Sequence, residues 1–178
     1  MNTLKEKYNK EIRAALKASL GLSNDLEVPR VKKVTINARL SSKKDPKAME
    51  VIENTLRRIT GQKPVLTRAR KSIAGFKVRE NMVVGAMVTL RGERAWDFIE
   101  KLVNVTFPRI RDFRGITTTT VDSYGNFNVG FKEHTAFPEI SSDEIEALHG
   151  LQVTITTTAT NQKEGMALFQ ALGFPFKK

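Results

Sequence analysis

The sequence predicts a single α+β domain in which helices pack on one face of a mostly antiparallel sheet and leave the other face open and polar. Three observations predict it. Four segments place apolar residues three or four positions apart, as amphipathic helices do. Other segments alternate apolar and polar residues with the period of two of half-buried strands. The two kinds are interspersed along 178 residues without an internal repeat.

Residues 1–60 predict a helix, a strand and a second helix. The first helix has apolar residues every four positions and ends at Gly21. The strand alternates the apolar residues Val34, Ile36 and Ala38 with polar neighbours, so it has one polar face. The second helix begins after Asp45 and keeps an apolar face until about residue 60.

Residues 61–116 predict two strands, a basic loop between them and a third helix. A short strand covers Val65–Thr67, the basic loop covers 69–82, and a strand with period two covers Val84–Arg91. The helix that follows carries Trp96, Ile99, Leu102 and Val103 on its apolar side and is predicted to end at Pro108, which lacks an amide donor.

Residues 117–178 predict a hairpin, a further strand and a final helix. The hairpin joins Thr117–Val121 to Phe127–Phe131 through a Gly and Asn turn. A helical turn near 143–148 precedes a strand in which Leu151, Val153 and Ile155 alternate with polar residues. Asn161 and Glu164 predict a helix start of the capping-box type.

The whole chain has a net charge of +11, and its positive charge is concentrated in the first two-thirds. Residues 1–116 hold 26 Lys or Arg against 12 Asp or Glu, a balance of +14, whereas residues 117–178 hold 4 against 7, a balance of −3. Local fields recruit charged partners, so the first two-thirds are predicted to carry a surface for a polyanion. A basic surface that serves only solubility remains an alternative.

Several classes of protein are excluded. Cysteine is absent, which removes disulfides, thiolate zinc sites and cysteine nucleophiles. The first ten residues mix Lys with Glu and lack the apolar core of a signal peptide, and the longest apolar stretch, 83–88, is too short to span a bilayer. We therefore expect a soluble, cytoplasmic protein that is not bound to membranes.

Common catalytic motifs are missing from the sequence, including the phosphate-binding loop, the dinucleotide fingerprint and the nucleophile elbow. His134 and His149 are the only histidines and stand too far apart for a one-turn metal pair, so they are interpreted as surface or core residues. Glu144 and Glu146 are interpreted as a solvated helix face. The sequence predicts no catalytic residue, metal or cofactor, although a nucleic-acid-processing enzyme and a protein-interaction adaptor remain alternatives.

The open sheet face is the candidate site. It is predicted to present hydrogen-bonding side chains and hardly any acids: Thr35, Asn37, Gln62, Thr67, Thr89, Arg91, Gln152 and Thr154. The wide, shallow minor groove of double-stranded RNA is lined with 2′-hydroxyls, and hydroxyl and amide side chains with a rim of Lys and Arg match that chemistry. An ordinary solvated sheet has the same pattern and remains an alternative.

Two basic segments extend the candidate surface. Residues 61–79 hold six basic residues and no acidic one, and within them Arg68–Arg79 has the makeup of a loop that lies along phosphates. Phe76 in this loop either stacks on a base or ribose, or anchors the loop in the core. Arg109, Arg111 and Arg114 form a second basic turn, which fits RNA or an acidic protein equally well.

Eight blocks of sequence, in order along the chain, resemble the bacterial large-subunit ribosomal protein L5 family. They are Ile59–Pro64, Lys71–Arg79, Val88–Glu93, Leu102–Asn104, Phe107–Gly115, Gly125–Phe127, Phe137–Ile140 and Gly173–Phe176. Each block is weak evidence when taken separately. Their shared order is specific, and the resemblance covers essentially the whole chain.

The resemblance implies a structural protein of the central protuberance, without catalytic activity. It implies that the open face binds 5S rRNA through Lys33, Thr35, Asn37, Gln62, Lys63, Thr67, Arg68, Thr89 and Arg91. The loop would contact P-site tRNA through Arg70, Lys71, Ser72, Gly75, Phe76, Lys77 and Arg79. An intersubunit bridge to a head protein of the small subunit would use Arg109, Arg111, Arg114, Phe137 and Glu139. Large-subunit rRNA and neighbouring large-subunit proteins are further implied partners.

The chain departs from the family pattern in three places. Ala38–Ser41 stands where the family has a Gly-rich stretch, which affects how closely the backbone can approach RNA. Ser141–Ser142 and Leu148–Gln152 replace more charged versions. These two departures bear on the expected contacts of the intersubunit bridge.

Overall fold

A five-stranded antiparallel sheet forms the centre of the computed structural model, which describes residues 3–39, 46–140 and 148–177, with the backbone only for 46–48. The strands are β1 (Val31–Arg39), β2 (Val65–Arg68), β3 (Val83–Leu90), β4 (Phe127–Phe131) and β5 (Leu151–Thr157). Their order across the sheet is β2-β3-β1-β5-β4. The α+β class predicted from the sequence is confirmed.

Four helices accompany these strands in the described ranges. Helix α1 runs through Leu4–Lys7, a π-helical turn at Tyr8–Ile12, and Arg13–Leu20. Helix α2 is Pro46–Thr60. Helix α3 runs through Glu93–Lys101, a π-helical turn at Leu102–Thr106, and Phe107–Arg109. Helix α4 is Gln162–Ala171. Short 3-10 turns cover Ala74–Phe76, Thr118–Thr120 and His134–Ala136.

The backbone packs as two compact units. Unit 1 consists of Met1–Val34, Leu90–Val129 and Thr154–Lys178, and unit 2 of Thr35–Thr89 and Gly130–Val153. Strand β2 lies wholly in unit 2, and each of the other four strands contributes residues to both. Each unit has its own buried side chains.

Aromatic side chains dominate the core of unit 1. The Tyr8 ring lies 5.1 Å from that of Trp96, and its hydroxyl donates to the Pro29 carbonyl at 2.8 Å. Burial of that hydroxyl raises the pKa of Tyr8. Phe127, Phe169 and Phe174 form a second cluster with centroid distances of 4.9–5.2 Å. Edge-on and tilted contacts of this kind stabilise a core beyond the area that they bury.

The core of unit 2 combines one face of α2 with one face of the strands. Ile52, Leu56 and Ile59 follow helical spacing along α2, and all three are buried. Ile36 and Ala38 on β1 are also fully buried. A second group contains Phe131 and Phe137, whose rings lie 5.3 Å apart. The predicted helix and strand periodicities therefore mark the buried faces.

The predicted first strand of the hairpin at Thr117–Val121 is wrong. Thr118–Thr120 forms a 3-10 turn, and only Val121 makes an isolated bridge, to Phe127. The Thr120 hydroxyl donates to the Thr117 carbonyl at 2.7 Å. Short polar side chains that bond to nearby backbone compete with strand pairing in this way. The second strand, β4, is confirmed.

Some predicted helix boundaries differ from those of the structure, and others lie outside the described residues. The third helix continues one residue past Pro108, to Arg109. Pro108 stands in the first turn of the short α-helical segment after the π-helical turn, where a missing N–H is tolerated. The capping-box start of α4 is confirmed, since Asn161 Oδ1 accepts from the Glu164 N–H at 2.9 Å. The Asp45 helix start and the helical turn predicted over 143–148, with Glu144 and Glu146, lie outside the described residues except for Leu148, which is not helical.

The carboxylate of Asp122 organises the turn before β4. It accepts from the backbone N–H of Tyr124 at 3.0 Å and of Asn126 at 2.8 Å. Burial raises the pKa of Asp122, but the hydrogen bonds from the Asn126 side chain and backbone and from Tyr124 outweigh it, so the pKa lies below its ordinary value of 3.8.

We expect Asp122→Ala to lower the free energy of unfolding at pH 7 by about 1–2 kcal/mol, the scale of lost backbone bonds to an ionised group. Because the folded-state pKa is lowered, this stability is present above pH 3.8 and is lost as the pH falls through the folded value. Urea unfolding of both proteins at pH 7 and at pH 2.5 checks this. A difference in stability that is the same at both pH values would contradict the assignment.

Candidate nucleic-acid interface

The open sheet face of unit 2 starts with strand β1. Ile36 and Ala38 are buried, while Thr35 is half-buried and Asn37 is exposed between them. Strand β3 repeats the pattern, with Ala86 and Val88 buried and Thr89 half-buried. Since alternate side chains point to opposite faces of a strand, Thr35, Asn37 and Thr89 lie on the face away from the core, as predicted.

The register between β2 and β3 brings further residues to this face. Val65 is opposite Met87 and Thr67 is opposite Gly85. Directly opposed residues of an antiparallel pair share a face, so Thr67 lies on the open side next to Gly85. A Cβ on Gly85 would lie 2.6 Å from the Ala38 carbonyl oxygen and 3.2 Å from Thr67 Oγ1. The absence of a side chain at Gly85 therefore keeps this part of the face flat.

Gln62 is held near Thr89 by the turn that ends α2. Gly61 takes the left-handed conformation with φ +66°. Gln62 then donates from its backbone N–H to Thr60 Oγ1 at 3.2 Å and from Nε2 to the Thr89 carbonyl at 3.4 Å. The sequence predicted both residues on the open face, and the structure adds a direct hydrogen bond between Gln62 and Thr89.

Exposed cations border these polar residues in unit 2. Lys63 is exposed just before the short strand β2, Arg68 is exposed as the last residue of β2, and Arg39 is exposed at the end of β1. Within the described ranges, the salt bridges join Lys5 to Glu93 and Lys17 to Asp25, so these three cations are not among the bridged residues. Arg39 was missed as a site residue, although it follows Asn37 by the two positions that keep it on the same face.

Unit 1 contributes its own polar strand residues. On β5, Thr154 and Thr156 are half-buried and alternate with the buried residues Val153, Ile155 and Thr157. Thr154 Oγ1 donates to Asn128 Oδ1 at 2.8 Å. Lys33 is half-buried and Arg91 is exposed in this unit. Gln152, just before this segment and belonging to unit 2, is exposed.

The basic loop, residues 69–82, is a hairpin that extends β2 and β3. Ala69 N–H donates to the Met82 carbonyl at 2.8 Å, and Ile73 and Val78 exchange two backbone bonds of 2.9 and 3.2 Å. Ser72 Oγ accepts from the Glu80 N–H at 2.9 Å. Its exposed residues include all seven predicted tRNA contacts: Arg70, Lys71, Ser72, Gly75, Phe76, Lys77 and Arg79.

The alternative that Phe76 anchors this loop in the core is wrong. The Phe76 side chain is 65% exposed, and Ile73 is 49% exposed. Both lie at the end of the hairpin, where the 3-10 turn Ala74–Phe76 reverses the chain and Lys77 takes φ +53°. The loop is held by its backbone hydrogen bonds, so it does not need an apolar anchor.

The predicted intersubunit-bridge residues fall in different environments. Arg109, Arg111 and Arg114 are exposed in unit 1, on a turn fixed by stacking of Phe113 on the buried Phe107 at 5.6 Å. In unit 2, Glu139 is half-buried. Phe137 is fully buried, so the expectation that it contacts a partner is corrected: its ring packs inside the unit and supports the segment.

The two histidines are closer than their sequence separation suggests. Their rings stack at 4.1 Å with an interplanar angle of 17°, and His134 Nδ1 lies 3.2 Å from the His149 carbonyl oxygen. His134 is buried, so the pair belongs to the interior of unit 2. In the described residues no three His, Asp or Glu side chains come close enough to hold a metal ion. The same part of the chain contains no helix long and apolar enough to cross a membrane.

Comparison with known proteins gives a consistent result. The family model for ribosomal protein L5 matches residues 24–79, and the model for the C-terminal part of the same ribosomal family matches residues 83–176. The large ribosomal subunit protein uL5 of Francisella tularensis subsp. novicida is 48% identical over 178 residues, covering 99% of both chains. The uL5 protein of Francisella philomiragia is 49% identical with the same coverage.

Proposed function

This chain belongs to the ribosomal protein L5 family, whose members are structural, non-enzymatic constituents of the large ribosomal subunit, and from that premise we propose that its open sheet face binds 5S rRNA. It works in the cytoplasm as part of the ribosome, together with rRNA and other ribosomal proteins. The alternatives of a processing enzyme and of a free adaptor protein give way to this assignment.

One observation carries the proposal: the open face of unit 2 presents mainly uncharged polar side chains around Gly85, with Val65 and Met87 as its apolar members and cations at its border. Thr35, Asn37 and Thr89 present hydroxyl and amide groups, and Gly85 leaves no side chain in the middle. A flat surface of donors and acceptors fits the wide minor groove of A-form RNA, where 2′-hydroxyls and base edges are accessible. B-DNA offers no 2′-hydroxyl, so such a face discriminates between the two.

The bordering cations supply the part of the affinity that does not depend on sequence. Lys63, Arg68 and Arg39 can each neutralise a phosphate of a strand that crosses the face. Lys33 and Arg91 are the cations that unit 1 contributes to the proposed rRNA-binding set. Release of condensed counterions then makes the binding strongly dependent on salt.

The chain makes two further contacts in the ribosome. The basic loop reaches P-site tRNA, because it is a basic hairpin held by backbone bonds that projects from β2 and β3. Arg109, Arg111 and Arg114, which expose positive charge on a turn of unit 1, contact a head protein of the small subunit, and Glu139 in unit 2 is half-buried. In this arrangement the chain joins 5S rRNA and large-subunit rRNA in the central protuberance.

Removing two bordering cations should change the salt dependence of 5S rRNA binding. We expect Lys63→Ala with Arg68→Ala to reduce the slope of log affinity against log salt by about 1.4–1.8, because each phosphate contact contributes roughly 0.7–0.9. Filter binding of the purified chain to 5S rRNA at several potassium chloride concentrations measures this slope.

Lys163→Ala with Lys132→Ala is the matched control, because both lysines are exposed and neither belongs to the proposed face. The control should leave the slope unchanged although it removes the same charge. Equal slopes for the wild type and the Lys63 and Arg68 variant would place the RNA elsewhere. Binding that does not depend on salt would exclude phosphate neutralisation altogether.

A further inference from the structure

The end of the basic loop carries an apolar pair that phosphate binding does not explain. Ile73 and Phe76 are 49% and 65% exposed, and the Phe76 N–H donates to the Ile73 carbonyl at 3.3 Å. We call these two side chains the loop tip. Single exposed apolar residues are common on protein surfaces, so an isolated one would need no explanation. Two at the end of one ordered hairpin, inside a basic segment, are less ordinary.

The backbone fixes the loop tip in place. Ile73 and Val78 exchange two backbone bonds, and Lys77 N–H donates to the Ala74 carbonyl at 3.0 Å. Nothing lies within 4 Å of the position where a Cβ would stand on Gly75, so the turn is open to its surroundings. A hairpin whose backbone is already held by hydrogen bonds loses little backbone conformational entropy when its aromatic ring binds a flat partner.

The surrounding charge identifies the class of partner. Arg70, Lys71, Lys77 and Arg79 are all exposed, and no acidic residue occurs between Gly61 and Arg79. A hydrophobic pocket of another protein would not require this concentration of positive charge. A nucleotide requires both features, since its base has an apolar π-face and its phosphate is an anion.

We propose that the loop tip is a stacking subsite for an exposed nucleobase face of an RNA, with the Phe76 ring against the base and the flanking cations on adjacent phosphates. The subsite deepens the proposed contact of the loop with tRNA and rests on it. It differs from a purely electrostatic contact, because it selects a folded RNA that displays an unstacked or terminal base. Regular duplex offers phosphates but no free base face.

Stacking and charge neutralisation leave different signatures in binding data. Removing an aromatic platform lowers affinity by about tenfold to a hundredfold for each stacked base. It does so without changing the salt slope, because no counterion is released at an uncharged ring. Removing a flanking cation reduces the slope. The two contributions can therefore be separated within one loop.

The experiment uses ribosomes assembled with variants of the full chain and measures the affinity of P-site tRNA at several salt concentrations. We expect Phe76→Leu, which keeps an apolar side chain but loses the ring, to lower the affinity about tenfold or more with an unchanged slope. Phe76→Tyr keeps the ring and should retain the affinity. Lys71→Ala with Arg79→Ala is the charge comparison and should reduce the slope. All these side chains are exposed, so the fold is preserved.

The outcomes distinguish the stacking subsite from the tRNA contact itself. If the charge variant weakens tRNA binding but Phe76→Leu does not, the stacking subsite is overturned and the loop contact stands. If neither variant has an effect, both are overturned. If Phe76→Leu alters the protein composition of the subunit and leaves tRNA affinity unchanged, the loop tip occupies a protein pocket and the subsite is again overturned.

Discussion

Asn37→Asp should lower the affinity of this chain for 5S rRNA by about fivefold to several hundredfold while leaving its fold intact. The change is nearly isosteric, and the side chain is exposed between the buried residues Ile36 and Ala38. It replaces an amide donor with a carboxylate in the middle of a face that is proposed to lie on RNA. Two like charges about 4 Å apart repel by roughly 1 kcal/mol in water and about 4 kcal/mol near a protein surface, which sets the expected range.

Asn54→Asp is the matched control for this measurement. Asn54 is exposed on helix α2, and the same substitution changes the net charge by the same amount. Filter binding at fixed salt, with circular dichroism of each protein, separates the local effect from the global one. We expect Asn54→Asp to remain close to the wild type. Equal losses for the two variants would mean that net charge alone sets the affinity, and unfolding of Asn37→Asp would mean that the position is structural.

Strand and helix positions could be predicted because burial on one side leaves a periodic record. On β1 the period of two assigned Ile36 to the core and Asn37 to the open face, and the structure has both as expected. The strand prediction over Thr118–Thr120 was wrong because it relied on the general preference of β-branched residues for strands. At that place the Thr120 hydroxyl bonds to the Thr117 carbonyl, a local alternative that composition does not reveal.

The candidate site was predicted in its residue types and not in its spatial arrangement. Period two identified Thr67 and Thr89, but only the strand register brings Thr67 next to Gly85. The stacking of His134 on His149 and the burial of Phe137 depend on long-range packing, which has no short-range signal. Phe76 was ambiguous because an exposed and a buried phenylalanine look identical in a loop sequence. The structure resolves the ambiguity, since Phe76 is 65% exposed at the end of the hairpin.

Gly165→Ala should lower the free energy of unfolding by about 2 kcal/mol, although alanine is the better helix former. Gly165 is buried within α4, and a Cβ there would lie 2.4 Å from Gly125 Cα and 2.6 Å from the Gly125 carbonyl oxygen. Helix propensity favours alanine by roughly 1 kcal/mol. Overpacking costs about 1–3 kcal/mol and more where the obstacle is rigid. At such short distances the steric cost is the larger of the two.

The obstacle is rigid because Gly125 is fixed on both sides. Its N–H donates to the Asp122 carbonyl at 3.0 Å, and its own carbonyl accepts from Thr157 Oγ1 at 2.8 Å. Gly125 also has φ +74°, a backbone conformation that favours glycine, so a side chain at Gly125 would be strained as well. Relief of the contact therefore requires α4 to move away from the turn, which opens the cluster around Phe127 and Phe169.

Calorimetry and urea unfolding should show a fall in Tm of about 4–8 °C for Gly165→Ala, at roughly 2–4 °C per kcal/mol for a chain of this size. Gly130→Ala is the control, because nothing lies within 4 Å of the Cβ position there and no positive φ is required. It should change stability by less than about 0.5 kcal/mol. A Gly165→Ala protein as stable as the wild type would mean that α4 is free to shift, and that the contact with Gly125 does not fix its position.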